Sequence, residues 1–167
     1  STKASMSIPV WQRLLGLLVY LLPLSDALPF GQSLVTQYPI LGLFLLPAVP
    51  LVILEQSIRF GPLALGGLLL FFVLFLGVVR NPNVPYFLRF NTLQALLIDI
   101  VVILITYVYT PLSMQLGNLG DGLVIRTLGS TVFLGVLGIV IFALIECLRG
   151  REPDLPGISQ AVRMQLY

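Results

Sequence analysis

Long apolar runs broken by single charges and by prolines set the pattern of this chain. Phe60 to Val79 is uncharged and lies between Arg59 and Arg80. Ile100 to Gly120 is uncharged, and so is Thr127 to Ile145, which lies between Arg126 and Glu146. Stretches such as "LLLFFVLFLGVV" do not alternate apolar and polar residues as a barrel strand does, so helices are predicted. A crossing helix needs about 20 apolar residues. The runs therefore predict spans over 60–80, 85–109 and 124–148, with Asn81-Pro82 stopping the first of these three. Upstream, Val10 to Phe30 is interrupted mainly by Gln12, Arg13 and Asp26 and contains Pro23 and Pro29. Tyr38 to Leu54 is uncharged but contains Pro39, Pro47 and Pro50.

Either four or five of these segments cross a membrane. With four, and both termini on one side, that side holds Lys3, Arg13, Arg80, Arg89, Arg149, Arg151 and Arg163, leaving Arg59 and Arg126 opposite. With five, Lys3 and Arg13 leave the basic side, so the positive-inside rule favours four. The predicted fold is an all-α polytopic membrane protein. An N-terminal stub, 1–9, precedes one membrane domain, 10–148, with spans over 10–30, 60–80, 85–109 and 124–148. A Pro-kinked re-entrant or interfacial hairpin over 38–56 lies between the first two spans, and 149–167 forms a C-terminal tail. Broken backbone at membrane depth needs cover from protein or a wet cavity, which makes the Pro-rich segment a functional candidate. A tilted, kinked fifth helix is the other reading.

Composition agrees with lipid as the solvent. The 167 residues are 57% hydrophobic and 10% charged, against about 25% charged in a soluble domain. Histidine is absent and Cys147 is the sole cysteine, which excludes an internal disulfide, a His–Cys zinc cluster and a Ser–His couple. A net charge of +2 gives no footprint for nucleic acid. No cofactor or metal site is expected, and no catalytic residue. The opening "STKASMSIP" has no signal-peptide pattern; it suits either the stub left by a removed transit peptide or an ordinary terminus.

The third span carries the most informative chemistry. At 100° per residue, Asn91, Thr92, Gln94, Asp99, Thr106 and Tyr109 fall within one arc of roughly 160°, with Leu93, Leu97, Ile100 and Leu104 opposite. A central Asp costs about 2.5–3.5 kcal/mol on insertion scales, which the apolar majority of this span offsets. The stripe must face protein or water. It lines a passage or forms an interhelical clasp, and Asn91, Gln94, Asp99, Thr106 and Asp26 are the candidates, with Asp26, Arg13 or Ser and Thr hydroxyls as possible clasp partners. In the fourth span Thr127, Thr131, Gly135 and Gly138 form a small-residue face expected to pack helices. "GNLGDG" reads as a flexible loop, since no Lys follows and no strand precedes it.

The stretches "LVYLLPLSDALPFG", "LGVVRNP", "YFLRFNTLQALLIDI" and "CLRGREPDLPGIS" resemble the small four-span subunit of the translocon at the inner envelope of chloroplasts (Tic) and its cyanobacterial relatives. The likeness runs from about Val10 to the C-terminus, and "RFNTLQA" is its most specific part. It implies a non-enzymatic membrane subunit of a protein-import complex, with both termini in the stroma. The implied partners are other translocon subunits, the very large plastid-encoded multi-span one included, and unfolded precursor proteins. A structural hub that never touches cargo is the competing function, and a small-solute transporter a third: the chain shows no internal repeat. A cyanobacterial membrane is the alternative location. Four short-looped helices enclose no aqueous pore alone, so any passage needs further walls.

Overall fold

The structure, a computed structural model, describes residues 8–57, 59–60, 63–64 and 66–166. Most of the N-terminal stub, residues 1–7, therefore lies outside the described residues, as do 61, 62 and 65 at the start of the expected second span. The described elements are helical apart from one two-residue strand pair. They run α1 (Val10–Leu18), α2 (Leu21–Ala27), a 3-10 turn (Leu28–Gly31), α3 (Gln32–Gln37), α4 (Ile40–Leu45), a second 3-10 turn (Leu46–Ala48) and α5 (Val49–Ser57). After the strands Arg59–Phe60 and Leu63–Ala64 come α6 (Gly66–Leu74), a π-helical segment (Phe75–Val79), α7 (Tyr86–Leu116), a 3-10 turn (Leu119–Gly122), α8 (Leu123–Leu148) and α9 (Ile158–Leu166).

Among the described residues, three helical runs are long and apolar enough to cross a membrane: Val10–Gln37, Tyr86–Leu116 and Leu123–Leu148. The first continues past the expected end at Phe30. Pro23 falls early in α2, just after the turn at Val19 and Tyr20, and Pro29 opens a 3-10 turn. Proline is tolerated at such positions because the first-turn N–H has no helical partner to lose. Likewise α7 runs through Pro111 to Leu116, beyond the expected end at Tyr109.

The same rule explains the segment expected as a hairpin over 38–56. Pro47 lies at the start of the 3-10 turn and Pro50 is the second residue of α5. Each proline opens a new helical piece, and Leu45, Leu46 and Val49 keep right-handed helical dihedrals. The described backbone is thus a kinked helical run from Ile40 to Ser57. The chain reversal comes after it, where Arg59–Phe60 pairs antiparallel with Leu63–Ala64, and α6 then packs on α5. This strand pair occupies the expected start of the 60–80 span. Its helix begins only at Gly66, and at 1.5 Å per residue reaches about 20 Å by Val79, short of the roughly 30 Å hydrocarbon core.

The loop Gly117–Gly122 turns the chain back, with Gly120 and Gly122 at φ +58° and +81°, values that a side chain disfavours. As a result α8 lies antiparallel to α7: Tyr109 reaches Ile125 at one end and Asn91 reaches Cys147 at the other. At that second end the Arg13 guanidinium donates to the carbonyls of Ile8 and Leu148, at 2.8 and 3.2 Å. The start of α1 and the finish of α8 therefore share one end of the bundle. Arg89 joins them there through Val79 O at 2.9 Å, while Arg126 lies at the opposite end beside Gly122.

Close helix approach occurs at glycines other than those expected. A Cβ on Gly16 would meet Phe87 at 3.0 Å, one on Gly31 the Phe133 ring at 2.6–2.8 Å, and one on Gly129 the Tyr109 hydroxyl at 2.9 Å. At Gly135 and Gly138 it would meet nothing within 4 Å, and Thr131 is exposed, its hydroxyl bonded to Thr127 O. The packing expected of Thr131, Gly135 and Gly138 is not made among the described residues. The core side of α8 carries Phe133, Val136, Val140 and Ala143 instead, which leaves the small-residue face outward.

Candidate functional site

The polar residues of α7 divide into three groups along the helix. Asn91 and Gln94, in its first three turns, are fully buried. Tyr20, in the turn between α1 and α2, donates its hydroxyl to Asn91 Oδ1 at 2.8 Å, and Cys147 Sγ donates to the same oxygen at 3.3 Å. Asn91 Nδ2 donates to Phe87 O at 2.9 Å. With its proton committed to Asn91, Tyr20 Oη accepts from Gln94 Nε2 at 3.1 Å. The same Nε2 donates to Pro153 O at 2.9 Å. Gln94 Oε1 accepts from the Ser159 hydroxyl, whose oxygen in turn accepts from Leu155 N–H at 2.7 Å.

The network has one consistent direction of donation, so both amides are fixed in orientation. It ties α7 to the α1–α2 junction, to the end of α8 and to the tail with α9. Three of the four stretches that carry the resemblance meet here: Tyr20, Asn91 with Gln94, and Cys147 with Pro153 and Ser159. Cys147, though at the end of its helix, is fully buried, and surface chemistry does not reach its thiol.

Asp99 lies further along α7 and is only 3% exposed. One turn beyond it stands Ile103, and from there the helix borders an open groove of about 970 Å³. Asp26, Gln32 and Thr36 from α2 and α3 line one wall. Thr106 and Tyr107 line another, and the kinked segment closes the third with Gly42, Leu45, Val49 and Val52. Two of the hydroxyls are internally satisfied, Thr106 by Val102 O and Thr36 by Gln32 O, and can therefore face a low-dielectric space at small cost. Tyr109, at the far end of the stripe, is bonded to Ile125 O and set edge-on to Phe30, with centroids 4.8 Å apart.

The structure thus brings Asp26 and Thr106 to one groove, takes Asn91 and Gln94 into a closed network, and buries Asp99 between. Sequence reasoning did not single out Tyr20, Pro153 or Ser159. The available signals were a hydroxyl inside the apolar run "LLGLLVYLL" and a serine directly after the Pro-Gly turn of the tail. Among the described residues no group of acidic or cysteine side chains could hold a metal ion.

Long apolar helices, a buried polar clasp and a groove walled by a proline-kinked segment define a polytopic helical membrane protein. A family profile described as "Chloroplast import apparatus Tic20-like" matches residues 3–162. The chain belongs to the Tic20 family. It is 36% identical over 158 residues to a Tic20 family protein of Synechocystis sp., covering 92% of each chain. It is 32% identical over 168 residues to the chloroplastic protein TIC 20-v of Arabidopsis thaliana, covering 99% of this chain and 76% of that one. The chloroplastic protein TIC 20-II of the same plant is 32% identical over 173 residues, covering 99% and 78%.

Proposed function

We propose that this chain is a non-enzymatic membrane subunit of a protein-import translocon, and that the groove beside Asp26 and Thr106 forms part of the wall along which unfolded precursor proteins pass. The groove carries the reading. Its lining mixes a carboxylate, an amide and hydroxyls with Gly42, Leu45, Val49 and Val52, a surface that tolerates any passing side chain. Among the described residues the bundle interior is filled, with Tyr20, Phe90 and Phe133 fully buried in its apolar clusters. Other translocon subunits, the large plastid-encoded multi-span one among them, complete the wall. The outward face of Thr131, Gly135 and Gly138 is open to a partner's helix.

The proposed arrangement is a four-span chain in the chloroplast inner envelope with both termini in the stroma, or its equivalent in a cyanobacterial membrane. The shared end of α1 and α8 and the arginines gathered there support it. A second reading, a structural hub that does not touch cargo, is favoured by one observation: Asn91 and Gln94 are fully enclosed and cannot line any passage.

Filling the groove separates the two. A Cβ added at Gly42 meets only Val35 Cγ1, at 3.7 Å, so Gly42→Trp has room to enter the groove without disturbing the bundle. In membranes where this chain serves as the translocon subunit, Gly42→Trp should slow precursor transport severalfold and leave the detergent melting temperature unchanged. Leu134→Trp, on the exposed face of α8, should leave both unchanged. Normal transport in Gly42→Trp would remove the groove from the route and leave the hub.

A further inference from the structure

A second cavity, of about 240 Å³, lies between the π-helical segment, α7 and α9 at the basic end of the bundle. Its floor is apolar, from Phe71, Phe75, Leu96, Leu97 and Ile100. Its polar groups are Arg80 and Gln165. The π segment shapes it: Arg80 N–H reaches back to Phe75 O at 3.0 Å, the wide turn that brings Phe75 and Arg80 to one side. The guanidinium carbon then stands 5.2 Å from the centre of the Phe75 ring.

Four other arginines at this end are engaged within the chain, whereas Arg151 is exposed and lies away from the pocket lining. Arg13 is held by the Ile8 and Leu148 carbonyls and Arg89 by Val79 O. Arg149 pairs with Glu146, and Arg163 with Glu152 and Asp154. Among the described residues no acid pairs with Arg80. It is a cation at the mouth of an apolar pocket, at the end of the bundle where the apolar helices finish. A soluble anion has no use for the aromatic and leucine floor, and an uncharged acyl chain has none for the guanidinium. Basic pockets between helices at a membrane face suit anionic lipid headgroups.

We infer that this pocket binds one anionic lipid, with an acyl chain against Phe71, Leu97 and Ile100 and the headgroup anion on Arg80. The site is separate from the groove proposed for precursors and holds whether or not that function does. It makes α9 a wall of a lipid site, through Ala161 and Gln165, as well as a cover for α7.

The test is native mass spectrometry of the full chain in dodecyl maltoside, titrated with dioleoyl phosphatidylglycerol or dioleoyl phosphatidylcholine. One phosphatidylglycerol should be retained in preference to phosphatidylcholine. Arg80→Gln should reduce that preference about fivefold, the equivalent of one basic contact near 1 kcal/mol, with the melting temperature unchanged. Leu97→Trp, which fills the pocket from α7, should abolish retention of both lipids while Arg80 is intact. Equal retention of the two lipids by the wild-type chain, or an unaltered preference in Arg80→Gln, would overturn the proposal. Displacement of the lipid by millimolar inorganic phosphate would do so too, because it would show an anion site without a chain pocket.

Discussion

Gln94→Leu should destabilise the chain by about 2–3 kcal/mol and release its tail. The side chain donates to Tyr20 Oη and Pro153 O and accepts from Ser159, all in a buried setting. A buried group left without a partner costs about 1–3 kcal/mol, whereas a hydrogen bond inside a membrane bundle averages about 0.6. The partners retain some satisfaction: Tyr20 keeps Asn91, and the Ser159 hydroxyl lies 3.0 Å from Pro153 O. The total is therefore well below three full penalties. What the substitution removes completely is a side chain that joins α7 to both Tyr20 and the tail. Tryptic cleavage at Arg151 should accelerate in the folded protein. Ser159→Ala should add little in the Gln94→Leu background, since the two share one interaction. Full additivity of the two losses, with an unaltered cleavage rate, would show that the network does not hold the tail.

Phe133→Ala should have the larger effect on stability, about 3–5 kcal/mol, the usual range for deleting a fully buried ring. Its face lies against Gly31, where an added Cβ would stand 2.6–2.8 Å from three ring carbons. Gly31→Ala alone should therefore destabilise by about 1–3 kcal/mol through overpacking. In the Phe133→Ala background the same change should be neutral or favourable, because the added methyl enters vacated space. Gly135→Ala is the control. A Cβ added there meets no other element within 4 Å among the described residues, and alanine is the better helix former, so melting should hold or rise slightly. Thermal unfolding in one detergent measures all four variants, and equal losses for Gly31→Ala and Gly135→Ala would contradict the packing described.

The contrast between those two glycines shows where sequence reading stops. Helix existence was legible from apolar runs, and so was the burial of Asn91, Gln94 and Asp99 from their shared face of α7, but Leu93 on the opposite face is buried as well. A helical wheel gives the angle of a residue, however, and not its neighbour. The stripe at Thr131, Gly135 and Gly138 has the spacing of a packing face, yet it points outward. The close contacts fall instead at Gly16, Gly31 and Gly129, which form no stripe on one helix. Helix ends failed for a related reason. Pro47 and Pro50 read as kinks or breaks, but each opens a new helical piece where its missing N–H is not needed, and the helical run continues. The partners of Gln94 were out of reach because Tyr20 and Ser159 lie 74 and 65 residues away in the chain, and only the fold brings them together.

The most direct test of the proposed function places a photo-crosslinking residue at Thr106 or Val52 in the groove, and for comparison at Leu134 on the outer face of α8 and at Gln94 within the clasp. The membranes should hold a precursor arrested in transit. Crosslinks to the precursor from Thr106 and Val52, with none from Leu134 or Gln94, are the expected result. Precursor crosslinks from Leu134 with none from the groove positions would contradict the account, since cargo would then pass along the face of α8 and the groove would have no part in its path.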